Sequence, residues 1–173
     1  MSMKNVFVID ANAIIVASKH YYHNEVAMPF WDFIKEKILV GEIIILDVIA
    51  NEILQGYGWE AEWIKTISSK YFIKRDSNAI VLQYSKVLET LNVSPFFNET
   101  ALRAWSEAKT ADPWLIAACL ANGYTLVTLE KSTAPLDERS PISKPKIPQV
   151  CSLVGVECID TFSMLRQLRF CFK

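Results

Sequence analysis

The chain has 173 residues, 51% of them apolar and 21% charged, with a net charge of −1. That apolar content offsets chain entropy and excludes a disordered chain, and no run approaches the ~18 apolar residues that a membrane-spanning helix needs. The near-neutral balance excludes a generally basic nucleic-acid surface. Residues 131–173 do hold seven Lys/Arg against four Asp/Glu, which reads as a solvated basic tail before it reads as a phosphate-tracking surface.

The start, Lys4-Asn5-Val6-Phe7-Val8-Ile9, has the outline of a signal peptide. Asp10 and Asn12 interrupt it before an apolar core forms, so the expectation is a cytoplasmic chain with no membrane association. Cys119, Cys151, Cys158 and Cys171 form no CxxC pair and read as free thiols of a reducing compartment.

Val6-Phe7-Val8-Ile9 is continuously apolar, as in a strand covered on both faces, and it ends at Asp10. Residues 11–22 read as helix. Pro29 stands at the favoured first turn of a helix over 30–40, closed by Gly41. Ile43-Ile44-Ile45-Leu46 is a second buried strand, and Asp47 is the expected cap of a helix carrying Glu52. Gly56-Tyr57-Gly58 breaks that helix. Residues 59–70 read as helix, Tyr71-Phe72-Ile73 as a third strand, and 76–91 and 99–109 as helices around Ser94-Pro95.

Asp112-Pro113 is a helix start, with Asp as the expected cap and Pro at the first helical position. Residues 114–121 are apolar nearly all round, which predicts a buried helix, and Asn122-Gly123 ends it. A fourth strand over 124–128 leads to Glu130. Residues 131–149, with four prolines, read as a long surface loop. A short helix over 147–154, a fifth strand over 156–159 and a final helix over 160–170 complete the chain. Short apolar strands alternating with helices predict an α/β fold, a parallel sheet with helices on both faces. No repeat, low-complexity segment or linker interrupts residues 1–173, so one domain is expected.

Ligands of open α/β sheets bind beyond the carboxyl ends of the strands. Asp10 and Glu130 fall there, Glu52 lies one turn into the helix after the second strand, and Asp112 begins the helix that feeds the fourth. Clustered carboxylates repel unless protons or a cation intervene. Hard oxygen ligands suit Mg²⁺ or Mn²⁺, and such a site hydrolyses phosphodiesters with metal assistance. Each acid has a plainer reading. Asp112 is explained by capping alone, Glu52 as an exposed helical acid and Glu130 as a loop residue. Asp10 is harder to explain away, because a carboxylate directly after a buried strand has little structural use.

Val6-Phe7-Val8-Ile9-Asp10-Ala11-Asn12, Asn51-Glu52-Ile53, Ala111-Asp112-Pro113-Trp114-Leu115-Ile116-Ala117-Ala118 and Thr125-Leu126-Val127-Thr128-Leu129-Glu130 together resemble a PIN domain. That family includes the VapC-type toxins of toxin–antitoxin pairs. Asn51-Glu52-Ile53 and Lys146-Ile147-Pro148-Gln149-Val150-Cys151 are similar to a PIN-like branch catalogued only as a domain of unknown function. The resemblance implies a three-layer α/β/α fold with a central, mostly parallel, short-stranded sheet. It also implies a Mg²⁺- or Mn²⁺-dependent endoribonuclease, a hydrolase read first as the toxin of a type II pair. Asp10, Glu52, Asp112 and Glu130 match the catalytic and metal-binding acids in turn, Asn12 a supporting polar neighbour, and Thr128 the hydroxyl lining the site. The sequence departs from the family at Ala11, where Thr or Ser is common, and at Glu130, where Asp is usual.

The partners expected from this reading are RNA, an antitoxin protein, and a second copy of the chain meeting it through the apolar-rich segments 59–70 and 76–91. Lys131, Lys144 and Lys146 are candidates to hold the RNA backbone, and a solvated connector is the equal alternative for their loop. A non-toxic RNA-processing nuclease and a non-catalytic interaction module stay open. Aspartate-nucleophile phosphohydrolases need a second Asp where Asn12 stands, and receiver domains need a Lys that Ile159-Asp160-Thr161 does not offer. His20 and His23 read as an exposed pair, and Trp31, Trp63, Trp105 and Trp114 as core packing.

Overall fold

Four short apolar segments pair in one sheet: Phe7–Ile9 (β1), Ile43–Ile44 (β2), Thr125–Val127 (β3) and Cys158–Ile159 (β4). Their order is β2-β1-β3-β4, and every pairing is parallel. The structure is a computed structural model that describes residues 5–132 and 135–172. The readings that involve Lys4, and the part of the 131–149 loop at 133–134, lie outside the described residues.

β1 is buried at every position, as its unbroken apolar run predicts. Ala11–Val16 (α1) follows it directly and widens into a π-helical turn over Ala17–Tyr21, closed by a 2.6 Å bond from the Tyr22 amide to the Ala17 carbonyl. Asn24–Leu39 (α2) bends at Ala27, whose backbone is non-helical, so Pro29 opens the straight part as expected. Asp47–Leu54 (α3) follows β2. Its N-cap is Leu46, and Asp47, the expected cap, is the first helical residue and accepts from its neighbour's amide, Val48 N, at 2.8 Å.

Trp59–Lys65 (α4) is shorter than the helix expected over 59–70; a 3-10 turn over Ser69–Tyr71 takes its last residues. The expected third strand at 71–73 is a single bridge from Ile73 to Leu46, so the sheet has four strands among the described residues and not five. With two aromatics and Ile73 only half buried, that segment lacks the covered faces that a central strand requires.

Asn78–Val93 (α5), Glu99–Trp105 (α6) and Asp112–Asn122 (α7) lead into β3, and Gly123, at φ +69°, ends α7 in the left-handed region where a glycine has no Cβ penalty. Ile147–Val154 (α8) lies within the bounds expected for it, and Thr161–Gln167 (α9) follows β4. Helices pack on both sides of the parallel sheet in a three-layer α/β/α arrangement.

The buried apolar residues of sheet and helices form one cluster. Trp31, Trp63 and Trp105 are buried in it, and Trp114 stacks on Tyr84 with ring centroids 3.8 Å apart, so all four pack as expected. α4 buries Ala61, Trp63 and Ile64, while α5 leaves Val81 and Leu82 exposed. Among the described residues no helix is long and apolar enough to cross a membrane. All four cysteines are free.

Candidate functional site

The parallel register carries one residue past each strand end. Ile9 pairs with Val127 and Val127 with Ile159, so Asp10, Thr128 and Asp160 stand abreast at the carboxyl edge of the sheet. The chain leaves β1 toward β2 but leaves β3 toward β4, so the strand order reverses between β1 and β3. A crevice opens at such a reversal, and Asp10 and Thr128 flank it. Asp112 reaches the same edge because α7 turns back tightly into β3 and runs antiparallel to it, packing against both β1 and β3. Glu52 comes from α3, which packs against α1 beside Asp10.

A hydrogen-bond network ties the two central strands together here. Thr128 Oγ1 donates to Asp10 Oδ2 at 2.8 Å. It accepts from Asn12 Nδ2 at 3.1 Å and from the Glu130 amide at 3.1 Å. Asn12 Oδ1 accepts from the Leu129 amide at 2.9 Å. A hydroxyl has one proton and two lone pairs, so these bonds use Thr128 fully. Asn12 thus holds the 128–130 segment, and Ala11 is buried in the core.

The four acids share one electrostatic field. Burial pushes the Asp10 carboxyl up to about 7; Thr128 opposes this, and the charges of Asp112, Glu52 and Glu130 add to it. Burial also raises Asp112 to about 6, helped by Glu130 and Glu52 and opposed by Lys146. Partial burial raises Glu52, which sits at the exposed rim. Asp112 is the first residue of α7, whose N-cap is Ala111, and its carboxylate accepts from its own backbone amide. Asp112 therefore stands one place inside the expected cap position, and the charges of Glu130 and Glu52 act on its carboxylate.

Glu130 differs from the other three acids. Its Oε1 accepts from Lys146 Nζ at 2.8 Å, and its Oε2 accepts from the Ile147 amide at 2.9 Å. It caps the start of α8, where the exposed amides favour a negative group. Among the described residues no group of three or more His, Cys, Asp or Glu is poised to hold a metal ion. The donor chemistry nonetheless fits a hard cation: Asp10, Asp112 and Glu52 are carboxylates whose mutual repulsion a divalent ion would relieve.

Among the expected RNA-contacting lysines, half-exposed Lys146 pairs with Glu130, and its charge acts on Asp112. Lys131 lies close enough to Asp160 to help hold that carboxyl below its ordinary value, after the dominant bond from the Ser163 amide. Lys144 lines a separate surface hollow with Asp137 and Ser140. His20 and His23 are exposed, as expected. The sequence reading missed the Lys146–Glu130 pair, which joins residues 16 positions apart across an irregular loop and leaves no periodic signal.

Fold and site together define an α/β/α protein with a carboxylate-lined crevice at the switch point of a four-stranded parallel sheet. The chain belongs to the family whose model is described as Domain of unknown function (DUF4411), which matches residues 7–172. Neither the curated proteins nor the solved structures offer a match.

Proposed function

We propose that this protein is a divalent-metal-dependent ribonuclease of the PIN type, hydrolysing RNA phosphodiester bonds at the acidic crevice. One observation carries the reading. Glu52, Asp112 and Glu130, drawn from segments far apart in sequence, all act through their charges on the buried Asp10 beside the switch point of the sheet. A fold that only needed stability would have little reason to gather like charges, since each adds repulsion and desolvation cost.

Asp10 and Asp112, with Glu52 at the rim, would hold Mg²⁺ or Mn²⁺. When bound, the ion supplies water activation and charge neutralisation at the scissile phosphate. Thr128 orients the Asp10 carboxylate by donating to one oxygen, which leaves Oδ1 for the cleft. Asn12 holds Thr128 and the turn behind it. Glu130 anchors α8 and keeps Lys146 beside the cleft, where its ammonium can turn toward an arriving phosphate.

Cleavage of RNA with Mg²⁺, with Mn²⁺ and with chelator, wild type beside Asp10→Asn, tests the reading. Metal-dependent cleavage that Asp10→Asn abolishes supports it; an Asp10→Asn protein that folds and cuts normally overturns it. Induced expression in a bacterial host then separates two uses of the same chemistry. Growth arrest relieved by Asp10→Asn marks a toxin, and unaffected growth marks a processing enzyme.

A further inference from the structure

A cavity of about 420 Å³ lies beyond the carboxyl ends of β3 and β4, and Thr128, Glu130, Lys131, Asp160, Tyr21 and Phe162 line it. Its volume falls in the range of small-molecule sites, roughly 300–1,000 Å³. Thr128 in its wall donates to Asp10 at 2.8 Å, so the cavity adjoins the acids at one edge of the sheet.

Tyr21 and Phe162 meet edge to face on one side of it, with centroids 5.4 Å apart and rings at 82°. Tyr21 is 54% exposed, which is unusual for an aromatic ring with an apolar partner at hand. Its position is set by the π-helical turn Ala17–Tyr21. Such turns interrupt regular helical bonding and are common at functional sites, because they re-aim a side chain. The cavity therefore combines an open aromatic face with a cation in Lys131, while the carboxylates in its wall are already bonded, Asp160 to the Ser163 amide and Glu130 to Lys146 and the Ile147 amide.

We infer that this cavity is a nucleobase subsite, which takes one unpaired base of single-stranded RNA against Tyr21 and Phe162 while the adjoining phosphate lies at the acids. The inference rests on the nuclease reading for its substrate class. Every base has a π-face, so stacking on Tyr21 tolerates any sequence but excludes a paired base, which cannot leave its helix without cost. Lys131 at the wall meets the backbone of the same strand.

The test is fluorescence anisotropy with a labelled single-stranded RNA hexamer and with an abasic hexamer of equal backbone charge. The Asp10→Asn chain is used so that the probes stay intact. Stacking contributes on the order of 1–3 kcal/mol per base, so the intact hexamer should bind about tenfold tighter than the abasic one. Tyr21→Ala should erase that difference and Tyr21→Phe should keep it. Phe162→Leu should reduce it, and that variant serves should Tyr21→Ala fail to fold. Equal binding of the two hexamers, no binding of either, or discrimination unchanged in Tyr21→Ala and Phe162→Leu overturns the subsite. Cleavage is scored separately with wild type. Metal-dependent cutting without base discrimination sinks the subsite alone, and discrimination without cutting sinks the nuclease reading while the subsite stands.

Discussion

Thr128 donates its hydroxyl proton to Asp10 across 118 residues of sequence, at 2.8 Å, in a position where both side chains are buried. The bond partly offsets the burial that raises Asp10 and fixes one oxygen of that carboxylate on Thr128. It links the two strands between which the sheet order reverses.

Thr128→Val should therefore do more than remove a methyl-sized polar group. The Asn12 amide and the Glu130 backbone amide lose their acceptor, and Asp10 loses its donor. Unpaired buried polar groups cost about 1–3 kcal/mol. Urea denaturation should show a loss of that order, with Thr128→Ser close to wild type. A Val variant as stable as wild type would mean that the network contributes nothing.

Stability should fall as pH rises through the acidic range. Asp10 moves from 3.8 to about 7 on folding and Asp112 from 3.8 to about 6. Between those values the folded state holds protons that the unfolded chain has released, so raising the pH favours unfolding. The contribution is fully present below about pH 4 and is lost by about pH 7. Mn²⁺ should reverse the trend, because the ion binds the ionised carboxylates of the folded state only. Thermal melts from pH 4.5 to 8, with Mn²⁺ and with chelator, check both signs; a flat metal-free profile would remove the electrostatic basis of the site.

Asp10→Asn keeps an acceptor for Thr128 but no longer ionises. Its metal-free melting temperature should exceed that of wild type above pH 7 and converge on it only toward pH 4. The full shift at Asp10 corresponds to about 4 kcal/mol, and roughly 2–4 °C accompany each kcal/mol in a chain of this size. Mn²⁺ should raise the melting temperature of wild type and leave that of the variant nearly unchanged.

Lys146→Ala should act in two ways. It removes a cation that lowers the Asp112 carboxyl, so metal binding should set in at a higher pH than in wild type. It also removes a charge that can meet an RNA phosphate, so the slope of log binding constant against log salt should fall by about one. Glu130→Gln keeps an acceptor for the Ile147 amide but weakens the hold on Lys146, so its salt slope should stay at the wild-type value. Identical salt slopes for Lys146→Ala and wild type would restrict Lys146 to holding the loop.

Much of this protein is legible in the sequence, because burial writes itself into local pattern. The unbroken apolar runs at 7–9 and 125–127 read directly as covered strands, and Pro113 with Gly123 bounds α7. Asp10 stands out for the same reason: a carboxylate directly after a buried strand has no local explanation. The segment at 71–73 misled because three apolar residues look alike whether a sheet accepts them or a single bridge does.

The tertiary structure decided where each acid stands and what it bonds. Asp112 carries the signature of a helix cap, yet Ala111 occupies that place, and its carboxylate joins the cleft because α7 doubles back along β3. Glu130 looks equal to the other acids in sequence, yet the start of α8 and Lys146 take both its oxygens. Apolar periodicity is a property of neighbouring residues, whereas the partner of a carboxylate is chosen by whichever donor the folded chain brings within about 3 Å, and no local pattern records that choice.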